Sequence, residues 1–322
     1  MLIKHQSPSV RLTGRWNTQD ENMAVTTAPG AYLEIAFKGE LATLLFDTDF
    51  NAENFPHLYI SVDGGPMIES VLSPFIHIKT GSAGAHTLKV IYKSSVEDLN
   101  RWYSKLLNKV TFLGLEADAE APLAPDARKT VEFIGDSITE GILVETRTYD
   151  KVDTQNRVYQ DDVTATYAWR TAELLNLRPY IMGYGAVGIT RSGSGGVPKV
   201  IDSYPFNYEN SPAAAPNANL IVINHGANDM GAPAEVYTKG YSEFLDLVRS
   251  RNPKSKIVVL SAFCGAHVNE LEAAIADYNK GKSESIAFIN GSNWVPKEPL
   301  HPLRAGHKII AGYLAEELKK FL

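Results

Sequence analysis

The hydrophobic period of this chain changes partway along its length, and that change limits the folds open to it. Up to about residue 118 apolar residues alternate with polar ones. "YLEIAFKG" puts Leu33, Ile35 and Phe37 on one face, and "LYISVDGG" alternates before breaking at Asp63-Gly64. "FIHIKTG", "HTLKVIYK" and "KVTFLGLE" continue the pattern. Alternation bounded by turn residues marks strands with one buried face. It predicts an all-β sandwich or jelly roll over residues 1–118. Within it, only "EDLNRWYSKLL" reads as one helical turn or two.

"EADAEAPLAPDARKT", rich in Ala, Pro and acid, reads as a linker centred on residues 119–128. From residue 129 to 322 the pattern differs. "VEFIG", "YIMGYG", "NLIVINHG", "KIVVLSAF" and "SIAFING" are short apolar runs of the kind buried on both faces of a parallel sheet. Helical stretches lie between them. In "AEVYTKGYSEFLDLVRSR", Tyr237, Tyr241, Phe244, Leu245 and Val248 recur at helical spacing, and "NELEAAIADYN" and "AGHKIIAGYLAEELKKFL" supply two more helices. Alternating β and α predicts a five-stranded parallel sheet in an α/β/α three-layer, flavodoxin-like domain, with its site at the carboxyl ends of the strands.

A length of 322 residues agrees with two domains. A net charge of -6, with no dense Lys/Arg cluster, argues against a nucleic-acid partner. No apolar run reaches the ~18 residues of a membrane span, so no membrane partner is expected. Cys264 is the only cysteine, which leaves no internal disulfide and no cysteine-based metal site, and a buried packing role is expected for it. The start, "MLIKHQSPSVRLTGRW", has no apolar leader core, so a cytoplasmic location is the default, or a secreted one if a leader was trimmed away.

"FIGDSITEG" places Ser137 just past the first strand of the second domain. The hydrolase elbow G-x-S-x-G is incomplete, because Thr139 stands where the second glycine belongs. Ser137 is either a nucleophile or an N-cap with Glu140 at the third helical position. Three later features favour chemistry. Asn228 follows Gly226 at the end of "VINHGANDM", Gly188 lies in the glycine-rich turn "GYGAVGIT", and "EPLHPLRAGH" carries Glu298 three residues before His301.

These four blocks resemble those of the SGNH (GDSL) hydrolases over about residues 129–322. The β-rich first part, with "TGRW" near its start, resembles the layout of carbohydrate esterase family 2, in which a jelly roll precedes a deacetylating SGNH domain. The resemblance implies Ser137 as nucleophile and His301 as base. It also implies an oxyanion hole from the Ser137 and Gly188 N–H groups with the Asn228 side chain, and loop-bracing roles for Asp136 and Asp229. Glu298 stands where the family usually has Asp, and either completes a triad or leaves a Ser–His pair.

Other signals point elsewhere. "GYGAVG" satisfies a dinucleotide pattern, but loop rather than helix follows it. The eight histidines contain no H-E-x-x-H, so no catalytic zinc and no cofactor is expected. His307 reads as a helix-start packing residue and His225 as a buried one. Trp294 is either a sugar-stacking platform or a loop aromatic sealing the core. "DKVDTQNRVYQDDVTAT" (150–166) is either a cleft rim or a solvated loop. The expected function is a serine carbohydrate esterase acting on an O-acetylated sugar or other small ester. Its rivals are an acyltransferase to a small alcohol and a non-catalytic carbohydrate-binding protein.

Overall fold

The computed structural model describes residues 1–146 and 157–322. Two antiparallel sheets build the N-terminal part. One joins Leu2–Ile3, Val110–Glu116, Leu41–Asp47 and Phe75–Lys79 in that spatial order, with Ala24–Thr26 also paired to Val110–Glu116. The other runs Ala119–Glu120, Tyr32–Lys38, Ala85–Ser94, His57–Val62 and Ile68–Val71, with Val10–Thr13 on Tyr32–Lys38. Alternation decides what each face meets. Leu33, Ile35, Phe37, Leu88 and Val90 point inward onto Leu44, Phe46, Phe112 and Leu115 of the first sheet.

Tyr32 and Ile91, on the opposite face of the same strands, pack instead into the core of the second domain. The Tyr32 ring meets Trp169 edge-on at 5.8 Å. Gly30 allows this approach, since a Cβ there would sit 2.8 Å from Ile181. Arg15 of "TGRW" is a second tie: it is buried, and its guanidinium donates to the carbonyls of Tyr204 at 2.9 Å and Phe206 at 2.8 Å. At the start of the segment read as a linker, Ala119–Glu120 pairs with Tyr32–Lys38. One expectation is corrected. Residues 95–109 form turns and irregular backbone with no helix, because Arg101 and Trp102 are buried against the second domain rather than spaced along a helical face.

The second domain is a parallel sheet of β1 (Thr130–Gly135), β2 (Arg178–Gly183), β3 (Leu220–Asn224), β4 (Lys256–Leu260) and β5 (Ala287–Ile289). Its order is β2-β1-β3-β4-β5. Six α-helices are described: α1 (Ser137–Glu140), α2 (Tyr167–Leu174), α3 (Val200–Ser203), α4 (Ala234–Arg251), α5 (Val268–Tyr278) and α6 (Arg304–Leu318). Side chains of α3, α4 and α5 cover one face through Tyr237, Tyr241, Phe244 and Leu271, packed on Ile221, Ile223 and Val259. Those of α2 and α6 cover the other through Trp169, Ile310 and Leu314, packed on Phe133, Val222 and Val258. That is the expected α/β/α sandwich. After β2 the chain makes a glycine-rich loop rather than a helix, which removes the dinucleotide reading.

Because the β domain buries Tyr32, Ile91, Ala28 and Trp102 in the cores of the second domain, the two parts should melt together. Calorimetry should show one cooperative transition, and Trp169→Ala should lower it by a loss of about 3–5 kcal/mol. Two separated transitions would contradict a shared core.

Candidate active site

Parallel register sets the site. Gly135 at the end of β1 lies level with Gly183 of β2 and with Asn224 of β3, so the loops after three neighbouring strands leave one edge together. Gly135 must be glycine, since a Cβ there would overlap Thr139 and approach the Asn224 carbonyl at 3.0 Å.

Immediately beyond, Asp136 is the N-cap of α1, its Oδ1 accepting from the Ile138 N–H at 3.0 Å. Ser137 is therefore the first residue of the helix and not its cap. Its Oγ is free for other work, and it lies 2.8 Å from His301 Nε2. Glu140 closes no capping box. Its carboxylate binds the buried Arg101 and accepts the Gly185 N–H at 2.7 Å.

The histidine loop is held to the segment that follows Ser137. Three residues after His301, the Arg304 N–H donates to the Val144 carbonyl at 2.8 Å and the guanidinium pairs with Glu145. Pro302 is buried beneath it. Burial pushes the His301 imidazole down to about 4, and the nearby Arg157 charge acts in the same direction. At neutral pH the ring is an uncharged base, as proton removal from a serine requires.

Asn228 follows β3, and one Nδ2 proton is donated to the Val187 carbonyl at 3.0 Å. An amide nitrogen has a second proton to offer. The Ser137 N–H, at the first position of its helix, has no intrahelical acceptor. Asp229 braces the β2 loop. Its carboxylate accepts from the Ile189 N–H at 3.0 Å and from the Thr190 N–H at 2.8 Å and hydroxyl at 2.7 Å.

A model of the GDSL-like lipase/acylhydrolase family matches residues 133–309, more than half of the chain. The chain belongs to this family. It is thus a carboxylic ester hydrolase. A relative from Cellvibrio japonicus (strain Ueda107), an acetylxylan esterase / glucomannan deacetylase, is 23% identical over 91% of this chain and 84% of its own. Two solved structures share the whole two-domain layout. The family two carbohydrate esterase of Clostridium thermocellum in complex with cellohexaose superposes with a TM-score of 0.79 at 22% identity, covering 97% of this chain and 100% of that one. The family two carbohydrate esterase of Cellvibrio japonicus gives 0.82 at 18% identity, covering 100% and 97%. At these identities the structural likeness is one of fold.

Three further candidate residues of this hydrolase have their places set by the structure. The Glu298 side chain is exposed, and among the described residues no hydrogen bond or ion pair joins it to His301. The Gly188 N–H already donates to the Arg191 carbonyl at 3.0 Å. What requires glycine there is Asp229, whose carboxylate would lie 2.7 Å from a Cβ. Trp294 is half-buried and stacks on Tyr313 of α6 at 5.6 Å, with Gly291 packed 3.1 Å away by the same measure of an added Cβ. Cys264 is half-buried, and His307 is fully buried with Nδ1 accepting the Tyr167 N–H at 2.9 Å. His225 is buried beside Phe244. Of the segment 150–166, residues 150–156 lie outside the described residues, and Arg157 beyond them pairs with Glu97 of the β domain.

Sequence reasoning missed Arg101, Glu97, Arg157 and Arg304. Each acts on a partner distant in sequence, which no local pattern announces.

Two outcomes follow for hydrolysis of an activated ester. The acid limb of kcat/KM should fall near pH 4, well below the ordinary 6.5 of histidine, since the ring stays neutral until then. A limb at or above 6.5 in the pH profile would contradict it. Glu298→Gln should retain kcat within about tenfold, and a loss near ~10⁴ would return Glu298 to the site.

Proposed function

We propose that this protein is a serine esterase that removes O-acetyl groups from carbohydrates through an acyl-enzyme. The observation that carries it is the Ser137 Oγ–His301 Nε2 contact of 2.8 Å at the carboxyl edge of the sheet. The named activity of the two-domain relative, acetylxylan esterase / glucomannan deacetylase, supplies the substrate class.

The chemistry runs in two halves. Ser137 Oγ attacks the acetyl carbonyl as His301 Nε2 takes its proton. The charge that develops on the carbonyl oxygen is met by the Ser137 N–H and the second Nδ2 proton of Asn228, each such donor contributing about 2.7–4 kcal/mol. His301 then gives the proton to the departing sugar oxygen, leaving acetyl-Ser137 and a free hydroxyl. Water attacks the acyl-enzyme with His301 again as base, and acetate leaves with Ser137 restored. Asp136 and Asp229 brace the two loops in this sequence, Asp136 through Oδ1 on the Ile138 N–H and Asp229 through both oxygens on the Ile189 and Thr190 N–H groups.

Acetate release from acetylated xylo- and glucomanno-oligosaccharides, beside p-nitrophenyl acetate, tests the reading. The wild type should release acetate from the oligosaccharides, and Ser137→Ala should release none above background. Turnover of the nitrophenyl ester without any oligosaccharide deacetylation would remove the carbohydrate assignment. Oligosaccharide binding without turnover of either substrate would make the chain a binding protein.

A further inference from the structure

The site residues belong to the second domain, yet a loop of the β domain is built into their support. Residues 95–109 leave the Ala85–Ser94 strand and lie along the glycine-rich loop after β2. The Arg101 N–H donates to the Gly195 carbonyl at 3.0 Å, and a Cβ on Gly185 would overlap the Glu97 carboxylate. Arg101 has no solvent exposure, and its guanidinium grips both oxygens of Glu140, with Nη2 3.0 Å from Oε2. A planar two-pronged donor matched to a carboxylate is the geometry that arginine supplies and lysine does not.

Glu140 is the last residue of the four-residue helix that Ser137 begins. Its Oε2 also accepts the Gly185 N–H, and two residues on is Val187, whose carbonyl holds the Asn228 amide. One buried carboxylate thus ties the nucleophile helix to the loop that aims the oxyanion donor. Its charge is matched by an arginine from the other domain. Removing one partner of a buried ion pair leaves the other uncompensated, so this carboxylate depends on Arg101 for its place.

We infer that Arg101 is a positioning residue for catalysis, lent by the β domain, which acts through Glu140 to set Ser137 and Asn228 against the developing oxyanion. The β domain is then part of the catalytic machinery's alignment and not an appendage. The inference rests on the esterase reading above, and it concerns alignment in the transition state rather than substrate binding.

The test uses the full chain. Arg101→Met and Arg101→Lys are compared with Arg15→Met, which removes another buried interdomain arginine whose partners are the Tyr204 and Phe206 carbonyls and, at 3.7 Å, the buried Glu132 near the start of β1, remote from the carboxyl edge. For each variant kcat and KM for p-nitrophenyl acetate are measured, with the inhibition constant of phenylboronic acid, whose serine adduct mimics the tetrahedral intermediate. All measurements are made below the melting temperature of the variant.

Arg101→Met should lower kcat by ~10–100-fold, as expected of small misplacements at a reacting centre. KM should stay within about twofold, and boronate affinity should weaken by the same factor as kcat. Arg101→Lys should recover only part of the loss. Arg15→Met should lower the melting temperature and leave kcat and boronate affinity near wild type. If Arg101→Met does not fold, the lysine variant carries the comparison.

Folded Arg101 variants with wild-type kcat and boronate affinity would overturn the positioning role, as would a parallel loss in Arg15→Met. A wild type that neither turns over the ester nor binds the boronate would instead overturn the esterase reading.

Discussion

Register in the parallel sheet is the constraint from which the rest of the site follows. With Gly135, Gly183 and Asn224 level across three strands, the next few residues of each strand have only the space above the carboxyl edge to enter. The Ser137 turn, the glycine-rich loop and the Asn228 turn therefore meet there, and small side chains are obligatory where they cross. A one-residue slip would exchange the two buried faces of β1, sending Ile134 into the core that Phe133 fills and Phe133 into that of Ile134. The hydrophobic core thus fixes the geometry of the Ser137–His301 edge through the same strands it stabilises.

Electrostatics completes what register begins. The site edge gathers Asp136, Glu140 and Asp229, all buried, and each is matched in a different way. Asp229 takes three donors from the β2 loop. Glu140 takes Arg101. Asp136 has its N-cap bond, and burial beside Asp229 raises it to about 7, near neutrality. Desolvation acts in the opposite sense on His301, holding it neutral and ready to accept a proton. Loss of solvation around the ring and a fixed hydrogen-bond frame around the carboxylates are two results of the same burial.

Most of the architecture was legible because it is written in period. Alternation gave the strands of the β domain, and the Tyr237-to-Val248 spacing gave α4 with its bounds. The pair Ser137–His301 was legible from motif order. What local pattern could not show is contact across domains. Arg101 looked like part of a helical turn in "EDLNRWYSKLL", although its partner is Glu140 in the next domain. Glu140 looked like half of a capping box for the same reason, while Asp136 already filled the cap. Glu298 has the right spacing from His301, but spacing does not say which way a loop side chain points, and here it faces solvent. Gly188 is required for the approach of Asp229, and its N–H meets the Arg191 carbonyl, neither of which its place in a glycine-rich turn announced.

The central claim is that Ser137 is a nucleophile made reactive by His301. Labelling with a fluorophosphonate, located by mass spectrometry of the digested protein, tests it most directly. One adduct is expected, on Ser137, formed by the wild type and absent or greatly slowed in His301→Ala. An adduct on another residue, or equal labelling of Ser137 without His301, would contradict it.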